Sequence, residues 1–179
     1  MDSWKPYLIL GIGNCLMSDD GAGVHAARIL QAEPPPETAV LTPGTDFLCA
    51  ISFLERCAKV LVIDAMDAGQ PPGSLYYCRG EDLAQTGQRH SLHGLGLIGA
   101  LEFLDVKHRP ELHILGVQPS WTGFTLQLSP EVASVLPQVV RVARRIIVEF
   151  GRLNPTDSMY IFDSTNEKEG RQCLKLPAL

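Results

Sequence analysis

Tyr7-Leu-Ile-Leu-Gly-Ile-Gly-Asn-Cys-Leu-Met-Ser-Asp-Asp-Gly-Ala-Gly23 is the stretch of sequence that decides the fold. Its apolar start, residues 7–12, predicts a buried β-strand. The glycines that follow predict a tight turn into a helix, as in phosphate-binding loops. Asp19 and Asp20, however, bring two negative charges into this loop. Because like charges so close together repel one another, the loop favours a cation over an anion as its ligand.

A dinucleotide-binding loop is the main alternative interpretation of this stretch. Gly11-Ile-Gly13 begins like the G-x-G-x-x-G fingerprint, but Leu16 stands where the third glycine belongs. The next predicted strand ends in Thr42 and Pro43, so the acidic residue that would bind a ribose is also missing. The sequence therefore argues against nucleotide binding.

Composition narrows the class of protein further. The chain has 179 residues, of which 45% are hydrophobic, and this length suits one domain with one core. No secretory signal pattern and no apolar run of membrane-spanning length is evident. A net charge of −5 gives no basic surface for nucleic acid. Five cysteines without a C-x-x-C pair suit a reducing compartment. We therefore expect a cytoplasmic protein with neither a nucleic-acid nor a membrane partner.

Strand and helix patterns alternate along the chain, which predicts an α/β protein. Strands are predicted at residues 7–12, 38–42, 59–64, 74–79 and 111–117, and helices near 21–32, 45–57, 93–105 and 130–152. The predicted fold is a single three-layer αβα domain of the phosphorylase/hydrolase-like kind, with a twisted, mostly parallel five-stranded sheet. The turn at residues 71–73 makes strand 74–79 a candidate for an antiparallel or edge position. Residues 1–152 form the predicted domain, and the polar segment 153–179 is expected to be a mobile or loosely docked tail.

Three residues are candidates for a metal site at the carboxyl edge of this sheet. Asp20 follows the first strand, Asp64 ends the third, and His93 begins a predicted helix. Ligands of open α/β sheets collect beyond the carboxyl ends of the strands. Two carboxylates and an imidazole form a mixed oxygen and nitrogen donor set that suits a divalent transition metal.

Structural roles remain open for each of these residues. Asp20 and His93 could cap helices, and Asp64 could form a turn. Asp19 and Asp67 are the nearest substitutes for the two acids, and His90 is the substitute for His93. Neither a G-x-S-x-G elbow nor an H-E-x-x-H motif occurs, so a water activated by a metal is the expected attacking group if the protein is a hydrolase.

Five ordered segments resemble the maturation endopeptidases of nickel–iron hydrogenases. They are G-I-G-N-C-L-M-S-D-D-G-A-G at 11–23, V-I-D-A at 62–65, S-L-H-G-L-G-L at 91–97, G-V-Q-P at 116–119 and L-S-P-E-V at 128–132. Their order and spacing agree with the family over roughly residues 7–150, and residues 153–179 are not covered. One departure is that Thr42-Pro43-Gly44-Thr45 stands where the family often has D-G-G-T, with Asp46 as a displaced substitute.

The resemblance implies a specific activity. Members of this family, classed as aspartic-type endopeptidases, remove the C-terminal extension of the hydrogenase large-subunit precursor after nickel has been inserted. Their metal-ligating acid, acid and histidine fall on Asp20, Asp64 and His93, which are also the expected catalytic residues. The metal is expected to be the nickel of the precursor, although zinc or another divalent ion also fits. The protein is expected to act as a monomer on the nickel-loaded precursor.

Asp20, Asp64 and His93 also allow a second function. A non-catalytic chaperone that checks the precursor for nickel would use the same three side chains, so the sequence leaves it open as an alternative.

Trp121 and Phe124 lie in the loop after the last predicted strand, and aromatic side chains in such loops often anchor partners. We expect Trp121 to be partly exposed and to face the metal site, with burial under the loop as the alternative.

Overall fold

The computed structural model describes residues 5–80, 99, 101, 104–152 and 174–176 of the chain. In chain order the described elements are β1 (Tyr7–Ile12), a 3₁₀ helix (Ser18–Gly21), α1 (Ala22–Ala32), β2 (Thr38–Gly44), a 3₁₀ helix (Phe47–Ala50), α2 (Ile51–Leu54), β3 (Lys59–Ala65), β4 (Leu75–Arg79), a 3₁₀ helix (Val106–His108), β5 (Glu111–Val117), α3 (Pro130–Arg152) and β6 (Leu174–Leu176). Among these elements, no helix is both long enough and apolar enough to cross a membrane.

The six strands form one sheet in the order β2-β1-β3-β5-β4-β6. Strands β2, β1, β3 and β5 are parallel, whereas β4 runs antiparallel to both β5 and β6. The predicted α/β class and the five predicted strands are confirmed, and so is the antiparallel direction of β4. The short sixth strand comes from the segment predicted to be a tail, of which the structure describes only these three residues.

Apolar layers cover both faces of the sheet. On one face, α1 and α3 pack against Ile9, Leu61 and Ile63. The opposite face, which carries Val60 and Val62, packs against α2 and the side chains of Leu101 and Leu104. Burial on both sides explains why β3 is an almost unbroken apolar run, because its side chains alternate between two cores.

The predicted helices match the described ones to different degrees. The predictions for residues 21–32 and 130–152 are confirmed by α1 and α3. The prediction for 45–57 is too long, because Asp46 caps a 3₁₀ helix and α2 ends at Leu54. The chain must leave the helix there, since the N–H groups of Ala58 and Lys59 donate to the Pro6 carbonyl as β3 begins. Most of the helix predicted at 93–105 lies outside the described residues, although residues 99 and 101 are helical.

Close packing at the start of α1 brings this helix onto the carboxyl ends of β1 and β3. A Cβ atom added to Gly23 would overlap the carbonyl oxygens of Ile63 and Ile12, so only glycine fits. Gly13, at the end of β1, has a φ of +122°, and a Cβ there would overlap the Asp20 carbonyl. These two glycines fix where the acidic loop lies relative to β3.

Candidate active site

The loop after β1 positions Asp20 through its own backbone. The Gly13 N–H donates to the Gly44 carbonyl at 3.1 Å, which fastens the start of the loop to the end of β2. The Asn14 N–H then donates to the Asp20 carboxylate at 2.8 Å, so the loop folds back on its own acid. Asp20 is only partly buried, and it lies just beyond the carboxyl end of β1. Its carboxylate is therefore held at the rim of the sheet rather than in the core.

Asp19, in contrast, is fully buried and its carboxylate holds two loops together. One oxygen accepts the Ser129 N–H at 2.7 Å, and the other accepts the N–H groups of Ser120 and Trp121 at 2.8 and 3.1 Å. The Ser129 hydroxyl also donates to it at 2.8 Å and accepts the Val132 N–H at 3.3 Å, as an N-cap of α3 does. These bonds give Asp19 a structural role, although the sequence also allowed it as a substitute metal ligand.

Further backbone contacts join the loop after β5 to the acidic loop. The Ser18 N–H donates to the Thr125 carbonyl at 2.8 Å, and its hydroxyl donates to the Gln127 carbonyl at 2.9 Å. Met17 and Thr125 form a parallel bridge between the two loops. Residues 118–129 are thus attached along much of their length to the segment that carries Asp20.

Asp64 lies near the end of β3 and is fully buried. It is in register with Gly116 of β5, which has no side chain to cover it from that strand. Because side chains alternate along a strand, Asp64 shares the face of Val60 and Val62, the face packed against Leu101 and Leu104. An aspartate is seldom fully buried, so this placement is typical of a functional residue.

Asp20 and Asp64 therefore lie at the same edge of the sheet. The 3₁₀ helix that carries Asp20 contacts β3, and Gly23 of the following helix packs against the backbone immediately before Asp64. The third predicted ligand, His93, and its substitute His90 lie outside the described residues. Within the described part of the chain, no three His, Cys, Asp or Glu residues are grouped as a metal site would require. The three-residue metal site thus stays a prediction.

Gln118 organises the loop after β3 and was missed by the sequence analysis. Its amide oxygen accepts the N–H groups of Ala68 and Gln70 at 2.9 and 3.3 Å, and its amide nitrogen donates to Asp67 at 3.0 Å. The Tyr76 hydroxyl donates to the same oxygen at 3.3 Å, and burial together with the charge of Asp67 raises the pKa of Tyr76. The signal for this role was present in the G-V-Q-P segment, but nothing local identifies its partners.

Two other residues singled out in the sequence lie on loops of this edge. The Asp46 side chain is exposed and accepts the Leu48 N–H at 3.1 Å, so its described contact is that of a helix cap. Trp121 is 55% exposed, which confirms that it is partly exposed and excludes burial under its loop. Its orientation toward a metal remains a prediction.

Comparisons with known proteins agree with the architecture and with the motifs. A family model described as hydrogenase maturation protease (HycI) matches residues 24–146. The hydrogenase expression/formation protein HupD of Bradyrhizobium diazoefficiens is 31% identical over 154 residues, which cover 80% of this chain and 79% of that protein.

Solved structures show the same fold. The [NiFe] hydrogenase maturation protease HybD of Thermococcus kodakarensis superposes with a TM-score of 0.68 and 31% identity, over 78% of this chain and 97% of that one. The hydrogenase maturating endopeptidase HybD of E. coli gives a TM-score of 0.72 at 24% identity, over 81% and 93% of the two chains. At that identity the second likeness supports the fold alone.

Proposed function

Because the chain belongs to the hydrogenase maturation protease family and is an endopeptidase, we propose that it removes the C-terminal extension of a nickel–iron hydrogenase large-subunit precursor after nickel insertion. The observation that carries this proposal is the placement of Asp20 and the buried Asp64 at one edge of the sheet. The endopeptidase assignment argues against the alternative of a non-catalytic nickel-checking chaperone.

The metal in this proposal is the nickel already carried by the precursor, with zinc or another divalent ion as the other candidate. Asp20 and Asp64 provide carboxylate oxygens, and His93 provides an imidazole nitrogen, which together suit a divalent transition metal. Such an ion acts as a Lewis acid on a carbonyl or lowers the pKa of water. In this proposal the three side chains position the loaded end of the precursor, so that cleavage waits for the metal.

Two observations support His93 as the third ligand. Residues 99 and 101 are helical, as expected for a helix predicted from 93 to 105. Leu101 packs in the apolar cluster that contains Val62, on the face of the sheet that Asp64 shares. A helix that begins at His93 and packs on this face would bring its first residue toward the carboxylate of Asp64. We further propose that the protein works in the cytoplasm as a monomer.

Cleavage of a purified precursor tests the function. The protein is incubated with nickel-loaded and nickel-free precursor, and the intact mass of the large subunit is followed with time. We expect a single loss of mass from the C-terminus of the loaded precursor only. Asp20→Asn, Asp64→Asn and His93→Ala should each abolish this loss, because each removes one ligand of the metal.

The matched controls are an exposed acid and an exposed histidine elsewhere on the surface. Asp105→Asn and His108→Ala make the same chemical changes in the loop before β5, and both should cut at the wild-type rate. Binding of the precursor without any loss of mass would contradict the proposed activity. Equal cleavage of nickel-free precursor would contradict the proposed order of events.

A further inference from the structure

We propose that an apolar surface beside Asp20, formed by Leu16, Trp121, Phe124 and Leu126 and here called the apolar rim, binds an uncharged apolar segment of the precursor next to the cleaved bond. This inference rests on the proposed function, because it names the part of the precursor that this site receives. It assigns recognition to residues that are not among the predicted metal ligands. Cleavage chemistry and precursor binding should therefore be separable by mutation.

The four side chains of the apolar rim are large and exposed. Leu16 is 50% exposed, Leu126 68% and Phe124 80%, in addition to the exposed Trp121. Scattered single apolar residues are normal on a protein surface, but a contiguous group of them indicates an interaction site. Here the bridge between Met17 and Thr125 brings three of them together, since Leu16 precedes the first residue and Phe124 and Leu126 flank the second. Trp121 is joined to the same loop by its backbone hydrogen bonds with Asp19.

The loops that form the apolar rim are fixed in place before any partner binds. Asp19 accepts the N–H of Trp121, and the Asp19 N–H donates to the Trp121 carbonyl at 3.3 Å. The Trp121 ring lies against Gly123, where a Cβ atom would overlap the indole. A surface that is already ordered loses little conformational entropy on binding, so its exposed area contributes more fully to affinity.

Charge identifies the kind of segment that the apolar rim accepts. Neither residues 11–18 nor residues 118–129 contain a Lys, Arg, His, Asp or Glu. A charged partner segment that lies on these two loops would lose hydration without gaining an ion pair from either of them. The complementary segment is therefore apolar and uncharged, and its binding should depend little on salt.

The position of the apolar rim beside Asp20 identifies the precursor as the partner that binds there. Leu16 lies four residues before Asp20 in the same loop. The Trp121 N–H donates a hydrogen bond to Asp19, the neighbour of Asp20. A segment bound on the apolar rim would thus continue directly into the site that holds the cleaved end. An endopeptidase with one natural substrate gains selectivity from such contacts beyond the reacting bond.

Binding and cleavage of the nickel-loaded precursor are measured in parallel for the full-length protein. The test variant is Phe124→Ser combined with Leu126→Ser, and Trp121→Ser is a second, independent variant. The matched control is Val148→Ser, an exposed apolar residue on α3 that lies outside the two loops. We expect each test variant to raise the Kd and the KM at least tenfold, with kcat within twofold of wild type. The control should change neither constant, and the wild-type Kd should vary less than threefold between 0.05 and 0.5 M salt.

The outcomes separate this inference from the proposed function. An unchanged Kd in both test variants, or a wild-type protein that does not bind the precursor, overturns the inference that the apolar rim binds the precursor, whether or not cleavage occurs. Weaker binding in the test variants supports it even if the wild-type protein fails to cut, a result that would contradict only the proposed function. Self-association of the wild type that the double variant abolishes would identify the occupant as a second copy of the chain, and would also overturn the inference.

Discussion

Asp19 and Asp20 show how two adjacent, chemically identical residues acquire different roles. Asp19 points into the protein and binds four donors from residues more than 100 positions away. Asp20 stays at the rim and accepts a local N–H from Asn14. From the sequence either acid could be the ligand, because the donors that distinguish them belong to the distant loop after β5.

Replacing Asp19 by Asn should destabilise the fold. An amide offers one acceptor where the carboxylate offers two, and its NH₂ group would face backbone N–H groups that also need an acceptor. We expect the free energy of unfolding to fall by about 2 to 3 kcal/mol, which is the typical cost of leaving buried donors unsatisfied. Urea denaturation followed by circular dichroism measures the change.

Asp20→Asn is the matched control, because it makes the same change one residue along the chain. The Asn14 N–H keeps an acceptor in this variant, so stability should fall by about 1 kcal/mol or less. Equal losses in the two variants would contradict the division of roles between the two acids.

Gly23 is a second position where a single atom decides the local structure. A methyl group there would overlap the Ile63 and Ile12 carbonyl oxygens and push α1 away from the edge that carries Asp64. We expect Gly23→Ala to lower the midpoint of thermal unfolding and the free energy of unfolding by about 1 to 3 kcal/mol.

Gly99→Ala provides the contrasting control for this prediction. Among the described residues, no atom lies within 4 Å of a Cβ added to Gly99, and alanine favours a helix by about 1 kcal/mol over glycine. This variant should be as stable as the wild type or slightly more stable. A Gly23→Ala protein of unchanged stability would show that α1 tolerates a looser contact with β3.

Among the strands and helices, the sequence predicted those that depend on local patterns of residues. The five main strands are apolar runs, and α3 begins with a Ser129 cap and a proline, so their existence and approximate limits were evident. Strand β6 was not predicted, because a three-residue strand has no pattern and depends on the free edge of β4. The predicted length of the helix after β2 was wrong for a similar reason. The hydrogen bonds from Ala58 and Lys59 to the Pro6 carbonyl end this helix, and Pro6 is distant in sequence.

The amino ends of β3 and β5 carry a polar cluster that is far from the candidate site. Glu111 lies 3.3 Å from the Lys59 ammonium and 3.1 Å from Nε2 of the buried His113. The Tyr77 hydroxyl lies 2.7 Å from Nδ1 of His113, and the ring of Phe150 packs against the imidazole. The hydrogen bond with His113, followed by the charges of His113 and Lys59, lowers the pKa of Glu111 to about 2.

This lowered pKa predicts a defined dependence of stability on pH. Because the pKa of Glu111 is about 4.5 in the unfolded chain and about 2 in the folded state, its stabilisation is complete above pH 4.5 and is lost as the pH falls toward 2. Glu111 is partly exposed, so solvent reduces the effect to about 1 kcal/mol. Glu111→Gln should be less stable than wild type by this amount at pH 7, and the difference should disappear near pH 2.

The control for this titration is Glu55→Gln, an exposed glutamate after α2. Its stability should follow that of the wild type across the same pH range. A Glu111→Gln protein whose deficit persists at pH 2 would mean that the side chain contributes through packing rather than through its charge.

Across the whole molecule, the packed polar cluster and the candidate functional residues lie at opposite ends of the strands. The amino end is closed by the cluster around His113 and by Tyr7 packed on Phe150, whereas the carboxyl end carries Asp64 and the loops with Asp20 and Trp121. The sequence predicted that Asp20 and Asp64 meet at the carboxyl end, because parallel strands place their following loops together. It did not reveal Asp19 or Gln118 as the residues that hold those loops, since their partners are distant in sequence.

We propose that Asp20, Asp64 and His93 share one divalent ion at this end of the sheet, and anomalous scattering from crystals that contain nickel measures whether they do. We expect a single strong peak at the nickel edge, about 2.0 to 2.2 Å from an oxygen of each aspartate and from a ring nitrogen of His93. In crystals of the Asp64→Asn protein the peak should weaken or vanish. A peak that avoids these three residues, or the absence of any peak beside them at saturating nickel, would show that they do not bind an ion together.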